Sequence, residues 1–150
     1  MRHKLVHLAL KEHMGDCAPP EALRVPLVPG LDVDTCTLDW LDEHHAAVEI
    51  EFSMVLMRQD DEEIACDLNA TWRMVYQFDE RPHDEREFAA KHGVKDAWLA
   101  WKGWLEATMS WMGLNPLRLS PVAPDGLVEL AREMYDIEVD IAAKKAAGDR

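Results

Sequence analysis

The chain lacks any apolar run of the roughly 18 residues that a membrane-spanning helix needs. Its N-terminal MRHKLVHLALKEH also holds too short an apolar run for a signal peptide. Cysteine is scarce: Cys17, Cys36 and Cys66 form no C-x-x-C and no zinc spacing. An odd count without a signal peptide predicts reduced thiols in a cytoplasmic protein. Basic residues are outnumbered, with 16 Lys and Arg against 29 Asp and Glu, a net charge of −13 and a pI near 4.8. That deficit argues against sequence-independent nucleic-acid binding, which needs cations on phosphates, and against docking on anionic lipid. It favours a partner with basic or apolar exposed segments.

Catalytic motifs are missing too. There is no G-x-S-x-G, no P-loop and no H-E-x-x-H. His44 and His45 beside Glu43 are adjacent residues that point apart in regular structure, so surface histidines explain them better than a metal half-site. Asp60, Asp61, Glu62 and Glu63 read as a solvated turn. Cys66 lies on an apolar strand face and reads as a small core residue. With no acid, base or nucleophile constellation in sight, the expectation is a protein that is not an enzyme and uses no cofactor or metal.

What is present suits one domain of 150 residues with 48% hydrophobic content. Leu5 to Met14 alternates loosely, with Val6, Leu8 and Leu10 on one face, and predicts a first strand. Cys17 to Gly30 holds four of the eight prolines, which predicts a crossover rather than a central strand. Leu31 to Glu43 lacks clean periodicity and reads as an ordered loop with at most a short helical turn. Ala47 to Arg58 alternates with period two: Val48, Ile50, Phe52, Met54 and Leu56 face one way, Glu49, Glu51 and Ser53 the other. Ile64 to Phe78 alternates more cleanly still, which predicts an antiparallel hairpin with one buried face.

Asp84 is placed to cap a short helix ending at Gly93, and Asp96 a longer one to Met112. The longer helix carries Trp98, Trp101, Trp104 and Trp111, four of the six tryptophans. An apolar surface running nearly all round it predicts burial on several sides, part of it against another subunit. Pro116 and Pro121 hold Leu114 to Val122 extended. A last helix starts at Asp125 and decays into a frayed tail at about 143–150. The expected class is α+β: a small antiparallel sheet of three to four strands, a long crossover after the first, and C-terminal helices packed on one face.

The stretch GLNPLRLSPVAPDGL, Gly113 to Leu127, resembles the C-terminal part of the SecB-type protein-export chaperones. Pro116, Leu117, Leu119, Pro121, Val122, Asp125 and Leu127 fit that family's Pro-Leu-x-Leu-x-Pro-Val-x-x-Asp-x-Leu pattern. Further matches are Ala18-Pro19 closing the first strand, Leu31-Asp32-Val33-Asp34-Thr35 in the crossover, and Cys66-Asp67-Leu68-Asn69. The segment EFAAKHGVKDAWLAWKGWLEATMSWMGLNPLRL resembles SecB-like relatives that accompany toxin–antitoxin pairs. Where the family has Pro-Tyr-x-Arg-Glu, this chain has Leu99-Ala100-Trp101-Lys102-Gly103.

The resemblance implies an ATP-independent holdase chaperone in the cytoplasm, assembled as a homotetramer, a dimer of dimers. Its clients would be unfolded or preprotein polypeptides, with SecA or an antitoxin as further partners. The family's groove maps onto Leu31, Val33, Leu68 and Leu127; Trp40, Leu130 and Met134 extend it by our own reading, although ordinary core packing also explains several of these. An acidic face for SecA would carry Asp67, joined by Glu49 and Glu51, and the same acids also fit a solvated strand face. The tryptophan helix would supply the oligomer interface through Trp98, Trp101, Trp104 and Trp111. The alternative is a structural or adaptor oligomer that uses the same fold to bind one folded partner.

Overall fold

Period-two alternation builds the centre of the molecule. In the structure, a computed structural model that describes residues 2–115 and 117–148, β3 (His45–Arg58) and β4 (Ile64–Phe78) pair antiparallel. Val48, Ile50, Phe52, Met54 and Leu56 are buried, as are Cys66, Leu68, Ala70, Trp72, Met74, Tyr76 and Phe78. Only Ile64, at the start of its strand, departs from that expectation and is exposed. β1 (His3–Cys17) adds to β4 and β2 (Leu27–Trp40) to β3, giving the order β1-β4-β3-β2 with every pairing antiparallel.

Two strands differ from the sequence reading for one reason. β2 replaces the loop expected over Leu31 to Glu43. A bulge at Asp34 shifts its phase, so that Val33 and then Cys36 face the core. Pro29 is tolerated because β2 lies at the sheet's edge. In β1, register shifts skip Val6 and Lys11. Val6, Leu8 and Leu10 therefore do not act as one buried face: Leu5 and Leu8 pack inward, while Val6 and Leu10 are exposed. The crossover shrinks to residues 18–26, with a 3₁₀ turn at Pro20–Leu23.

The helical half also has a correction. α1 runs unbroken over Glu85–Trp111, and Gly93 does not stop it. Asp84 caps it, accepting a 2.9 Å hydrogen bond from the Glu87 amide. Gly93 lies where the helix presses on the sheet: a Cβ there would fall 2.5 Å from Ile50 Cδ1 and 3.0 Å from Val48 Cγ1. Asp96 is no cap; its Oδ2 accepts a 2.7 Å bond from the buried Tyr76 hydroxyl. Trp98 stands edge-on to Phe52 at 6.3 Å and Trp101 stacks on Phe52 at 5.6 Å. Gly113, at φ 74°, ends the helix: its amide bonds Ser110 O and the Leu114 amide bonds Met109 O, a Schellman closure.

Beyond it, Leu114, Leu117 and Leu119 pack on the core, and Trp98 Nε1 donates to Ser120 O at 2.8 Å. Pro116 lies outside the described residues. α2 (Asp125–Gly148) stays helical through the segment expected to fray, although every side chain from Ile141 onward is exposed; residues 149–150 lie outside the described residues. Arg132 ties α2 to α1 through Glu87 at 2.6 and 2.8 Å. The second half of α2 runs beside β2: Tyr135, Glu138, Val139 and Ala142 share a 310 Å³ cleft with residues from both faces of that strand, Cys36 to Asp39. No described strand or helix runs along the far side of β1.

The expectation of three reduced thiols is also corrected. Register sets Cys17 opposite Cys66 with their Cα atoms 4.1 Å apart, and the two form a disulfide. Cys36 remains a buried thiol, pushed up to about 12 by burial.

Candidate functional site

The C-terminal end of α1 is flanked by two clefts. One, of 370 Å³, lies between the crossover and the α1–α2 connection. Leu23 and Val25 line it from the crossover, Leu27 from β2, Leu56 from β3, Met109 from α1, and Leu114 and Leu117 from the connection. The other, of 330 Å³, lies between β1 and α1 and is lined by His13, Gly15, Cys17, Leu68, Trp104, Thr108 and Met112. Gly15 keeps its floor open, since a Cβ there would meet Leu68 Cδ2 at 2.9 Å. The larger cleft has no titratable side chain in its lining. Its chemistry is burial of apolar side chains from outside, and the thioether of Met109 adapts to different shapes.

The residues expected to form a groove do not converge on one opening. Val33, Leu68 and Leu127 are sealed in the core, and only Leu68 touches a cleft wall. Leu31, Leu130 and Met134 are half-buried against that core. Trp40 lies at the far end of β2, about 30 Å from Leu31 at roughly 3.3 Å per residue. There its indole donates to Glu85 Oε1 at 2.8 Å and the Arg81 guanidinium covers its ring at 4.1 Å. It clamps the start of α1. The residues that do open onto the larger cleft were missed because they come from five separate segments. Leu114 and Leu117 stood in the Gly113 to Leu127 stretch, and no short pattern links them to Val25.

Glu49, Glu51 and Asp67 share the outer sheet face. Glu49 pairs with Lys11 at 2.6 Å. Both line a 230 Å³ polar cleft with Glu51, Thr71 and Glu138. Burial, reinforced by the charge of Asp34, holds the Glu51 carboxyl above the usual range, even though Thr71 Oγ1 donates to it at 3.4 Å. Asp34 is likewise raised, mainly by burial and then by neighbouring Asp32 and Asp67, against a hydrogen bond from Ser53.

The four helix tryptophans divide. Trp98 and Trp101 are buried in the protomer's own core, Trp104 is half-buried and stacks on Trp101 at 5.3 Å, and Trp111 is 93% exposed. Only the last two offer surface to a second copy. Among the described residues, no group of three or more His, Cys, Asp or Glu side chains is close enough to hold a metal ion. No described helix is long and apolar enough to cross a membrane.

No protein-family model matches the chain, and no curated protein matches it. Solved structures do. A SecB-like chaperone of Mycobacterium tuberculosis, in complex with a ChAD peptide from the HigA1 antitoxin, aligns with a TM-score of 0.67 at 14% identity, covering 82% of this chain and 92% of that one. A Streptococcus agalactiae protein of unknown function aligns at 0.50 and 12% identity, covering 80% and 98%. The likeness is one of fold: this chain has a four-stranded antiparallel sheet with two C-terminal helices, a SecB-like α+β fold.

Proposed function

We propose that the chain is a single-domain, ATP-independent holdase that binds non-native polypeptide through the apolar cleft between the crossover and the α1–α2 connection. The observation that carries this is the cleft itself: 370 Å³, lined by aliphatic side chains and Met109 together with Gly113 and Asn115, and built from the crossover, β2, β3, α1 and the α1–α2 connection of a SecB-like fold. The similar mycobacterial chaperone holds a peptide from an antitoxin, which favours a dedicated antitoxin-like client over general export substrates. Leu31, Leu130 and Met134 would extend the contact by small movements of α2. A cytoplasmic homotetramer would form through Trp104 and Trp111, multiplying weak contacts along one client. Glu49, Glu51 and Asp67 would serve as a docking face for a basic partner such as SecA.

A second reading, an adaptor for one folded partner, is favoured by the sealing of Val33, Leu68 and Leu127, which leaves less apolar surface for promiscuous binding. Refolding of a chemically unfolded, slow-folding protein, with stoichiometric chain and no nucleotide, separates the two. A holdase delays refolding and suppresses aggregation, and Val25→Asp weakens both effects. No effect at several-fold excess favours the adaptor.

A further inference from the structure

A further cleft, of 440 Å³, shares no residue with the two at the C-terminal end of α1. It opens between the middle of α1 and the segment that leads into α2. Val94 and Trp98 form its floor, and Pro121 and Val128 its walls. The Trp98 indole, bonded to Ser120 O, pins that segment over the helix. Its lining includes Leu99 and Val122, which are 63% and 73% exposed. The cleft is therefore open at its margins rather than an enclosed small-molecule pocket.

Charge sets the cleft apart from the rest of the molecule. In a chain of net charge −13, two exposed lysines, Lys91 and Lys95, stand one turn apart on its border. Neither lies within ion-pair distance of a carboxylate among the described residues. Glu87, the natural partner of Lys91 at i−4, is taken by Arg132. The one acid in the lining, Asp96, accepts a bond from the Tyr76 hydroxyl and keeps its charge. The lining therefore sets two ammonium groups against one carboxylate, beside bare apolar surface.

We infer that this cleft is a second polypeptide-docking site, selective for a segment that sets acidic side chains beside bulky aliphatic or aromatic ones. The apolar side chains enter between Trp98 and Val128, and the carboxylates meet Lys91 and Lys95. The inference does not rest on the holdase reading, because either site works without the other.

The test is fluorescence anisotropy with the full chain and a labelled peptide Gly-Ser-Glu-Leu-Phe-Leu-Glu-Ser-Gly. The Glu-to-Lys version of that peptide binds at least about tenfold more weakly, as does the parent peptide to the Lys91→Glu/Lys95→Glu double variant. Binding of the parent weakens as salt rises. Val25→Asp, in the other cleft, leaves it unchanged, and Leu99→Asp, on an exposed position that cannot unfold the core, lowers it. Equal binding of the two peptides overturns the inference, as does loss of binding in Val25→Asp. Binding of decanoate but not peptide, abolished in the double variant, assigns the cleft to acyl carboxylates instead. A change of oligomeric state in the double variant assigns it to a second copy of the chain, which also overturns the proposal.

Discussion

Between Phe88 and Trp101, α1 presents a sealed surface to the sheet. Phe88, Ala89, Ala90, Val94, Ala97, Trp98 and Trp101 are all buried, and Gly93 brings the helix against Val48 and Ile50. From Trp104 to Trp111 the same helix opens onto clefts on both flanks, and its last tryptophan is almost fully in solvent. The first stretch alternates small residues with rings and closes down on the sheet. The second keeps large side chains where the sheet no longer meets them. A tryptophan count therefore says little about role. Trp98 and Trp101 are buried in the core, even though Trp98 also floors a cleft, whereas Trp104 and Trp111 keep surface in solvent.

The largest effect expected on this contrast is from Trp98→Ala. Removing a buried indole that also anchors Ser120 should cost about 3–5 kcal/mol, read as a lower urea midpoint. Gly93→Ala comes next. It gains helix propensity of up to about 1 kcal/mol, yet must push aside Ile50 and Val48, so overpacking of about 1–3 kcal/mol should leave it destabilised. Tyr76→Phe strips Asp96 of its hydroxyl partner and should cost about 1–2 kcal/mol; an unchanged midpoint would show that Asp96 is satisfied by water.

The polar sheet face supplies a smaller effect outside the helix. Asp34 has a folded pKa above the ordinary carboxylate value, so the folded chain holds that proton to higher pH than the unfolded chain does. Stability from this group is intact below the ordinary value, falls as pH rises through the raised one, and stays low at neutral pH. Asp34→Asn should therefore raise the urea midpoint at neutral pH and lose that advantage at about pH 3, below the ordinary value of roughly 3.9. The smallest stability change belongs to Trp111→Ala, within about 0.5 kcal/mol of the parent chain. On the proposed assembly through Trp104 and Trp111, the same variant should lower the mass found in sedimentation. A large loss of stability there would erase the contrast between the two stretches of α1.

The hairpin was legible because its period is steady: Val48, Ile50, Phe52, Met54 and Leu56 all fall on the core side. β2 was not, because the bulge at Asp34 moves the core-facing set from Leu31 and Val33 to Cys36, Leu38 and Trp40. A reader scanning for strict alternation sees noise where the strand changes phase. Gly93 misled for a different reason. Glycine inside a helix signals a stop by propensity, whereas here it serves a close approach that only the folded sheet reveals. Trp40, assigned to a groove, became a clamp on α1 because its partners Glu85 and Arg81 lie far along the chain. The larger cleft draws on residues from Leu23 to Leu117, and local pattern carries no information about such distant neighbours.

The two margins of the sheet are unlike. β2 has α2 running beside it, while no described strand or helix runs along the far side of β1. A sheet with one bare margin is a monovalent building block. Where two such margins meet, each copy brings a helix-guarded strand to the outside, and the joined sheet has nowhere to recruit a third. Backbone pairing through β1 on that geometry closes with two copies and does not propagate.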